Sequence, residues 1–375
     1  MDRYTRSRKG AVKGNELEAT YLWDKDGVIW NTRIEYWFKG TLIVSGQRRQ
    51  ETGCTIRQLN PFDENRAHEM TVSSWSVHPG SCALQHALCA TMKGKQYKME
   101  GSPLVSAQYV LDHLEDPQVK LFDVRGVWGD QPGALTEQYM QGHIPHAIYL
   151  DWTQELITTT TAIADAPVPD IKNAHQSFQN LGISAEDTVV LYDDYDHLFA
   201  SRVWWVMRYF GHPGVKILDG GWPNWQAKGY PVSTENHTPE AGDFLPKEQH
   251  HLRVDAHEVL NRSNDTILVD GRSVESYTGL AGDARSGHIP GAINIPFKSL
   301  LDGHSGLFID DQSLKQLFSK AGIDSQKATV MSSCGSGYAG SVILVGLKKI
   351  GIEAPLYDGS FSEWKKDPDR PVEQI

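Results

Sequence analysis

The sequence is 375 residues long, too long for one ordinary hydrophobic core and suited to two or three domains at about 150 residues each. Hydrophobic residues at 39% and charged residues at 22% exclude wholesale disorder. A formal net charge of -11 argues against nonspecific affinity for nucleic acid or an anionic membrane, both of which favour a basic surface.

No apolar run approaches the roughly 20 residues that span a bilayer. The basic start, Met1 to Gly14, leads into Asn15-Glu16-Leu17-Glu18 without an apolar secretory core, so a cytoplasmic location is expected. The four cysteines, Cys54, Cys82, Cys89 and Cys334, form no CxxC pair and no disulfide scaffold. A reducing compartment leaves Cys334 free to react.

Residues 1–100 read as an N-terminal extension of unknown fold and role. They hold three of the cysteines and Trp23, Trp30, Trp37 and Trp75, with strand character over Val28 to Val44. A zinc site built from His78, Cys82, His86 and Cys89 matches no standard spacing, so scattered structural cysteines and no metal are expected.

From about residue 101 the chain repeats itself. Phe122-Asp123-Val124-Arg125 recurs as Val269-Asp270-Gly271-Arg272, and Gly142-His143-Ile144-Pro145 as Gly287-His288-Ile289-Pro290. Leu218-Asp219-Gly220-Gly221-Trp222 returns as Tyr357-Asp358-Gly359-Ser360-Phe361. Three ordered matches separated by roughly 140–150 residues mean duplicated domains, since solenoid repeats are far shorter.

In the first unit, Val119 to Val124, Thr188 to Tyr192 and Val215 to Leu218 read as buried strands, and Ala200 to Phe210 as a helix ended by Gly211. The second repeats this with strands at Thr266 to Asp270 and Ala328 to Ser333, and a helix over Gly340 to Ile350 ended by Gly351. Strands alternating with helices imply an α/β fold with a mainly parallel sheet covered on both faces. Ser233 to Gln249, rich in Pro, Gly, Glu and Thr, is the natural linker. The expected division is 101–235, a linker at 236–250, and 251–375.

The most informative stretch is Ser333-Cys334-Gly335-Ser336-Gly337-Tyr338-Ala339-Gly340, a strand end, a tight loop and a helix start. It places Cys334 at the carboxyl end of a central strand, where open α/β sheets bind ligands. Gly335 and Gly337 let successive amides face one point, and the helix start adds partial positive charge, a cradle for a thiolate or persulfide. A lone cysteine is more often a small buried hydrophobe, but that role gains nothing from three glycines within six residues.

These motifs together resemble the tandem rhodanese family over about residues 101 to 375, which implies two rhodanese-like domains. The Cys-Gly-Ser-Gly loop resembles that of the 3-mercaptopyruvate sulfurtransferases, whereas thiosulfate sulfurtransferases tend to place basic residues after the cysteine; here none precedes Lys348. The first unit has Tyr192-Asp193-Asp194-Tyr195-Asp196 in place of the cysteine loop, which marks it as the inactive copy.

The resemblance implies that Cys334 accepts sulfur from a small donor, 3-mercaptopyruvate or thiosulfate. The sulfur then passes to a thiol, cyanide or a thioredoxin-like acceptor, with no cofactor, nucleic acid or membrane involved. The amides of Gly335, Gly337, Tyr338 and Ala339 would hold the charge, and Ser336, His143 and Asp130 would relay a proton; His143 and His288, both in the repeated Gly-His-Ile-Pro turn, also read as residues that hold a loop. Tyr338 and Ala339 replace the Val-Thr common in that loop, so a tyrosine narrowing the pocket or offering an aromatic wall is expected. Arg125 and Arg272, at strand ends in both units, read as ion pairs that stabilise the fold.

Of two arginines that grip the donor carboxylate in those enzymes, the first position holds Ser276, leaving Arg285 as the candidate. A phosphatase of the Cys-x5-Arg kind would need arginine at position 340, which is Gly340. A noncatalytic binding module remains the alternative.

Overall fold

The computed structural model describes residues 101–375 except 129–132, 157–167, 281–282 and 325–328, together with the backbone of four strands between residues 12 and 48. Those strands, β1 (Val12–Lys13), β2 (Glu16–Lys25), β3 (Val28–Trp37) and β4 (Thr41–Arg48), form an antiparallel sheet in sequential order. The strand expected near Val28 is therefore one of four. His78, Cys82, His86 and Cys89 lie outside the described residues.

The first repeat runs β5 (Leu104–Val105), α1 (Ala107–Asp112), β6 (Val119–Asp123), a ribbon of β7 (Gly126–Val127) and β8 (Gly133–Ala134), α2 (Thr136–Gln141), β9 (Ile148–Tyr149), α3 (Ile171–Asn180), β10 (Thr188–Tyr192), α4 (Leu198–Tyr209), β11 (Val215–Leu218) and α5 (Gly221–Ala227). The second runs β12 (Arg253–Val254), α6 (Ala256–Leu260), β13 (Thr266–Asp270), α7 (Val274–Thr278), β14 (Ile293–Asn294), α8 (Asp311–Lys320), β15 (Thr329–Ser333), α9 (Tyr338–Lys349), β16 (Leu356–Tyr357) and α10 (Ser360–Trp364).

The sheet orders, β5-β11-β10-β6-β9 and β12-β16-β15-β13-β14, are the same topology, and every neighbouring pair is parallel. Runs such as Thr188-Val-Val-Leu-Tyr192 are apolar on both faces because helices cover both sides. Gly211 and Gly351, at φ near +86°, end α4 and α9 as the glycines promised. Among the described residues no helix is long and apolar enough to cross a membrane.

The three repeated motifs meet in space, which accounts for their recurrence. Arg125 grips Asp123 with Nη2 2.6 Å from Oδ2 and donates to the Gly142 carbonyl at 2.7 Å, its guanidinium lying 4.6 Å from the Trp222 ring. Arg272 does the same with Asp270 at 2.6 Å, the Gly287 carbonyl at 2.8 Å and the Phe361 ring at 4.3 Å. One planar fork thus ties the strand end, the Gly-His-Ile-Pro turn and the closing motif together.

The domains pack through α4 against α9, and one hydrophobic cluster that includes Val203, Trp204, Val342 and Val345 runs through both. They also exchange a symmetric contact. Asp219 of the first closing motif accepts the Phe308 N–H at 2.9 Å, and Asp358 of the second accepts the Val168 N–H at 3.2 Å. Phe308 and Val168 are equivalent, each two residues before the aspartate that caps the next helix, Asp310 on α8 and Asp170 on α3. The linker is irregular and follows the first domain, with Gly242 bonded to Gln179 and Phe244 to Ile183.

Candidate active site

Strand β15 lies between β13 and β16, so the residue after it is held at the centre of the carboxyl edge. That residue is Cys334, a free thiol only 2% exposed. Gly337, at φ +86°, turns the chain into α9 and donates its N–H to Cys334 Sγ at 3.1 Å. The carbonyls of Cys334 and Gly335 are tied off by the amides of Phe361 and Ser362 at 2.9 and 2.8 Å. With those two carbonyls bonded elsewhere, the Gly337 amide faces the sulfur in the manner of an anion nest.

Ser360 closes the other side. Its hydroxyl accepts the Cys334 N–H at 3.1 Å, lies 2.8 Å from the Tyr357 carbonyl and stands 4.0 Å from Sγ. It is fully buried and sits at φ +50°, a region a serine adopts at a cost of order 1 kcal/mol or more. The sequence reading missed it. The signal lay where the closing motifs exchange a glycine for a hydroxyl, Gly221 against Ser360.

The loop is backed by charge from the first domain. Arg202 on α4 pairs with Asp358 at 2.7 Å, both buried, and Arg253 reaches the other oxygen of Asp358 at 3.2 Å. A Cβ placed on Gly337 would lie 2.7 Å from Arg202 Nη1, so the guanidinium and that peptide are in direct contact.

Tyr338 does not stand at an open mouth. It is buried with its ring 4.7 Å from Trp128, 5.5 Å from Trp152 and 6.3 Å from Phe199, filling the seam against the first domain. Burial pushes its phenol well above the usual range. Gly335 and Ser336 are half-buried in the loop, and Ala339 lies in the first turn of α9 with its carbonyl close against Gly271.

His143 is fully buried: Nδ1 lies 2.8 Å from the Tyr139 carbonyl, Nε2 2.9 Å from the Glu235 carbonyl, and the ring stacks on Tyr139. His288 stacks on Tyr277 in the same way, so both histidines hold their turns against the chain leaving each domain. Arg285 is engaged by backbone carbonyls. Its Nε and Nη2 donate to the Lys365 carbonyl, Nη2 also to Asp367 and Nη1 to Arg370, which fastens the loop after α10. Asp130 lies outside the described residues.

In the first domain the residue after β10 is Asp193, the counterpart of Cys334. Its carboxylate accepts four amides, Tyr195 at 3.0 Å and His197 at 3.1 Å on one oxygen, Phe199 at 2.9 Å and Ala200 at 2.8 Å on the other. The acidic run does not merely lack a cysteine; it fills the nest with its own anion.

The profile of the Rhodanese-like domain matches residues 106–228 and 255–367. Among curated proteins the chain is 31% identical to the mitochondrial thiosulfate/3-mercaptopyruvate sulfurtransferase 1 of Arabidopsis thaliana, over 90% of this chain and 98% of that protein. It is 35% identical to the putative thiosulfate sulfurtransferase SseB of Mycobacterium tuberculosis, over 72% of this chain and 97% of that one. Among solved structures, the 3-mercaptopyruvate sulfotransferase SseA of Escherichia coli superposes with a TM-score of 0.62 at 26% identity, covering 69% of this chain and 98% of SseA. With both domains matched and these relatives aligned over nearly their whole length, the chain belongs to the rhodanese family.

Proposed function

We propose that this chain is a sulfurtransferase that moves sulfane sulfur from 3-mercaptopyruvate or thiosulfate to a thiol, cyanide or a thioredoxin-like protein through a persulfide on Cys334. The carrying observation is the Gly337 N–H, 3.1 Å from Sγ at the head of α9, in a loop whose Cys334 and Gly335 carbonyls are bonded elsewhere.

The Cys334 thiolate attacks the donor sulfur. With thiosulfate the S–S bond breaks and sulfite leaves; with mercaptopyruvate the C–S bond breaks and the thiol proton ends on carbon, giving pyruvate. An acceptor thiolate or cyanide then takes the outer sulfur and restores the Cys334 thiolate, so one transfer becomes two steps. The inner amides stabilise the charge throughout. On this reading residues 251–375 carry the chemistry and 101–235 support it, across a linker at 236–250. A reducing compartment such as the cytoplasm keeps the thiol available.

A phosphatase reading has no support, because a side chain at Gly340 would meet Leu356 Cδ1 at 2.9 Å. The deciding experiment is thiocyanate and sulfide release by the wild type and Cys334→Ser with each donor. Turnover that disappears in the variant supports the reading. Silence with both donors, and no persulfide on Cys334 by mass spectrometry, returns the chain to the binding-module alternative.

A further inference from the structure

The first domain has no cysteine, yet it places a buried guanidinium against the loop that does. Arg202 lies within α4, whose other residues from Leu198 to Met207 are apolar apart from Ser201, and it is 1% exposed. A charge in such a place carries a desolvation cost and is weak as a stability device. The matching position on α9, four residues from its start as Arg202 is from the start of α4, holds the apolar Val342. The interface therefore accepts an aliphatic residue on one side and carries arginine on the side facing the thiol.

We propose that Arg202 is a positioning residue for Cys334, by which the first domain fixes the Gly337 peptide and keeps positive charge behind the sulfur. The inference rests on Cys334 being the sulfur carrier. Arg202 acts through Gly337: its guanidinium occupies the space where any side chain on Gly337 would go, and the N–H of that residue is the donor to Sγ. Asp358 orients the guanidinium from the second domain at 2.7 Å and is itself held by Arg253 and the Val168 amide.

Two guanidinium groups against one carboxylate leave net positive charge. Among the described residues, the other ionisable groups beside the loop include Tyr338, whose ring lies 5.4 Å from the Arg202 guanidinium, and Arg272, already paired with Asp270. A second interdomain pair, Arg208 with Glu353 at 2.8 Å, sits six residues further along α4 and does not touch the loop.

The test follows the pH dependence of Cys334 alkylation by iodoacetamide, read on its own peptide by mass spectrometry in the full-length protein, beside thermal melting and steady-state kinetics. Arg202→Met is expected to raise the midpoint of alkylation and slow the neutral-pH rate about tenfold, and to lower kcat with KM little changed. Arg202→Lys, which keeps charge without the planar fork, recovers part of the loss. Arg208→Met loosens the same interface and leaves the midpoint where it was.

If Arg202→Met does not fold, Arg202→Lys and Arg253→Met carry the test, each with a smaller shift in the same direction. Midpoints equal to wild type in the folded Arg202 and Arg253 variants overturn the proposal, as does an equal shift from Arg208→Met. A wild-type Cys334 that takes no sulfur from either donor removes the sulfurtransferase reading together with this one. A normal wild type with unmoved variants removes this one alone.

Discussion

Asp193 and Cys334 hold the same place in their two domains, each the first residue after the central strand and each aimed at the amino end of the helix that follows. The first domain satisfies its nest with a built-in carboxylate, so the same backbone device serves structure on one side and chemistry on the other. Asp193→Ala leaves four amides around an empty space and is expected to cost on the order of 3 kcal/mol. Added sulfate should raise the melting temperature of that variant more than that of the wild type. Equal responses in both proteins would show that the nest does not reopen.

The neighbouring Asp194 gives a pH signature. Burial and the adjacent Asp193 push its carboxyl up to about 6, above the ordinary value of 3.8. A group raised in the folded state contributes stability that is present below the ordinary value and lost as pH climbs through about 6. Asp194→Asn should therefore melt higher than wild type at neutral pH, by about 1 kcal/mol after solvent screening, with the gap closing near pH 4. A gap that stays constant from acid to neutral pH would contradict this.

Ser360 offers two separable effects. Ser360→Ala strips a buried partner from the Cys334 amide and the Tyr357 carbonyl while keeping the unfavourable φ, so it should cost about 2 kcal/mol and several-fold in kcat. Ser360→Gly loses the same bonds but relieves the backbone, and should be about 1 kcal/mol more stable than the alanine variant at similar activity. Reversal of that order in a denaturant titration would rule out the strain account.

His143 and Arg285 should prove to be stability residues. His143→Gln and Arg285→Gln each remove side-chain bonds to backbone carbonyls and should lower the melting temperature by the equivalent of about 1–2 kcal/mol. Turnover per folded molecule is expected to stay within about twofold of wild type. A hundredfold loss of kcat with an unchanged melting temperature would put His143 back in the reaction.

The strands and the thiol loop were legible because their signals are local. An apolar run such as Thr266-Ile-Leu-Val-Asp270 reads as a buried strand, and Cys334 announces itself by the glycines that follow. The Asp-x-Arg motifs were visible as repeats and as ion pairs, but their tie to the Gly-His-Ile-Pro turn was not, since the carbonyl that Arg125 grips is seventeen residues away. The backbone partners of Arg285 and His143, the loop after Trp364 and the Glu235 carbonyl, were hidden for the same reason, since they come near only once the chain has folded. Arg202 did carry a faint local sign, a charge inside the apolar run from Leu198 to Met207.

The paired contacts of Asp219 with Phe308 and Asp358 with Val168 are what a two-fold dimer interface looks like when both subunits lie on one chain. Each half acts as the other's subunit, tethered by a linker and therefore present at a fixed effective concentration. Dilution cannot separate them, so specific activity should hold down to concentrations at which two unlinked halves would have come apart.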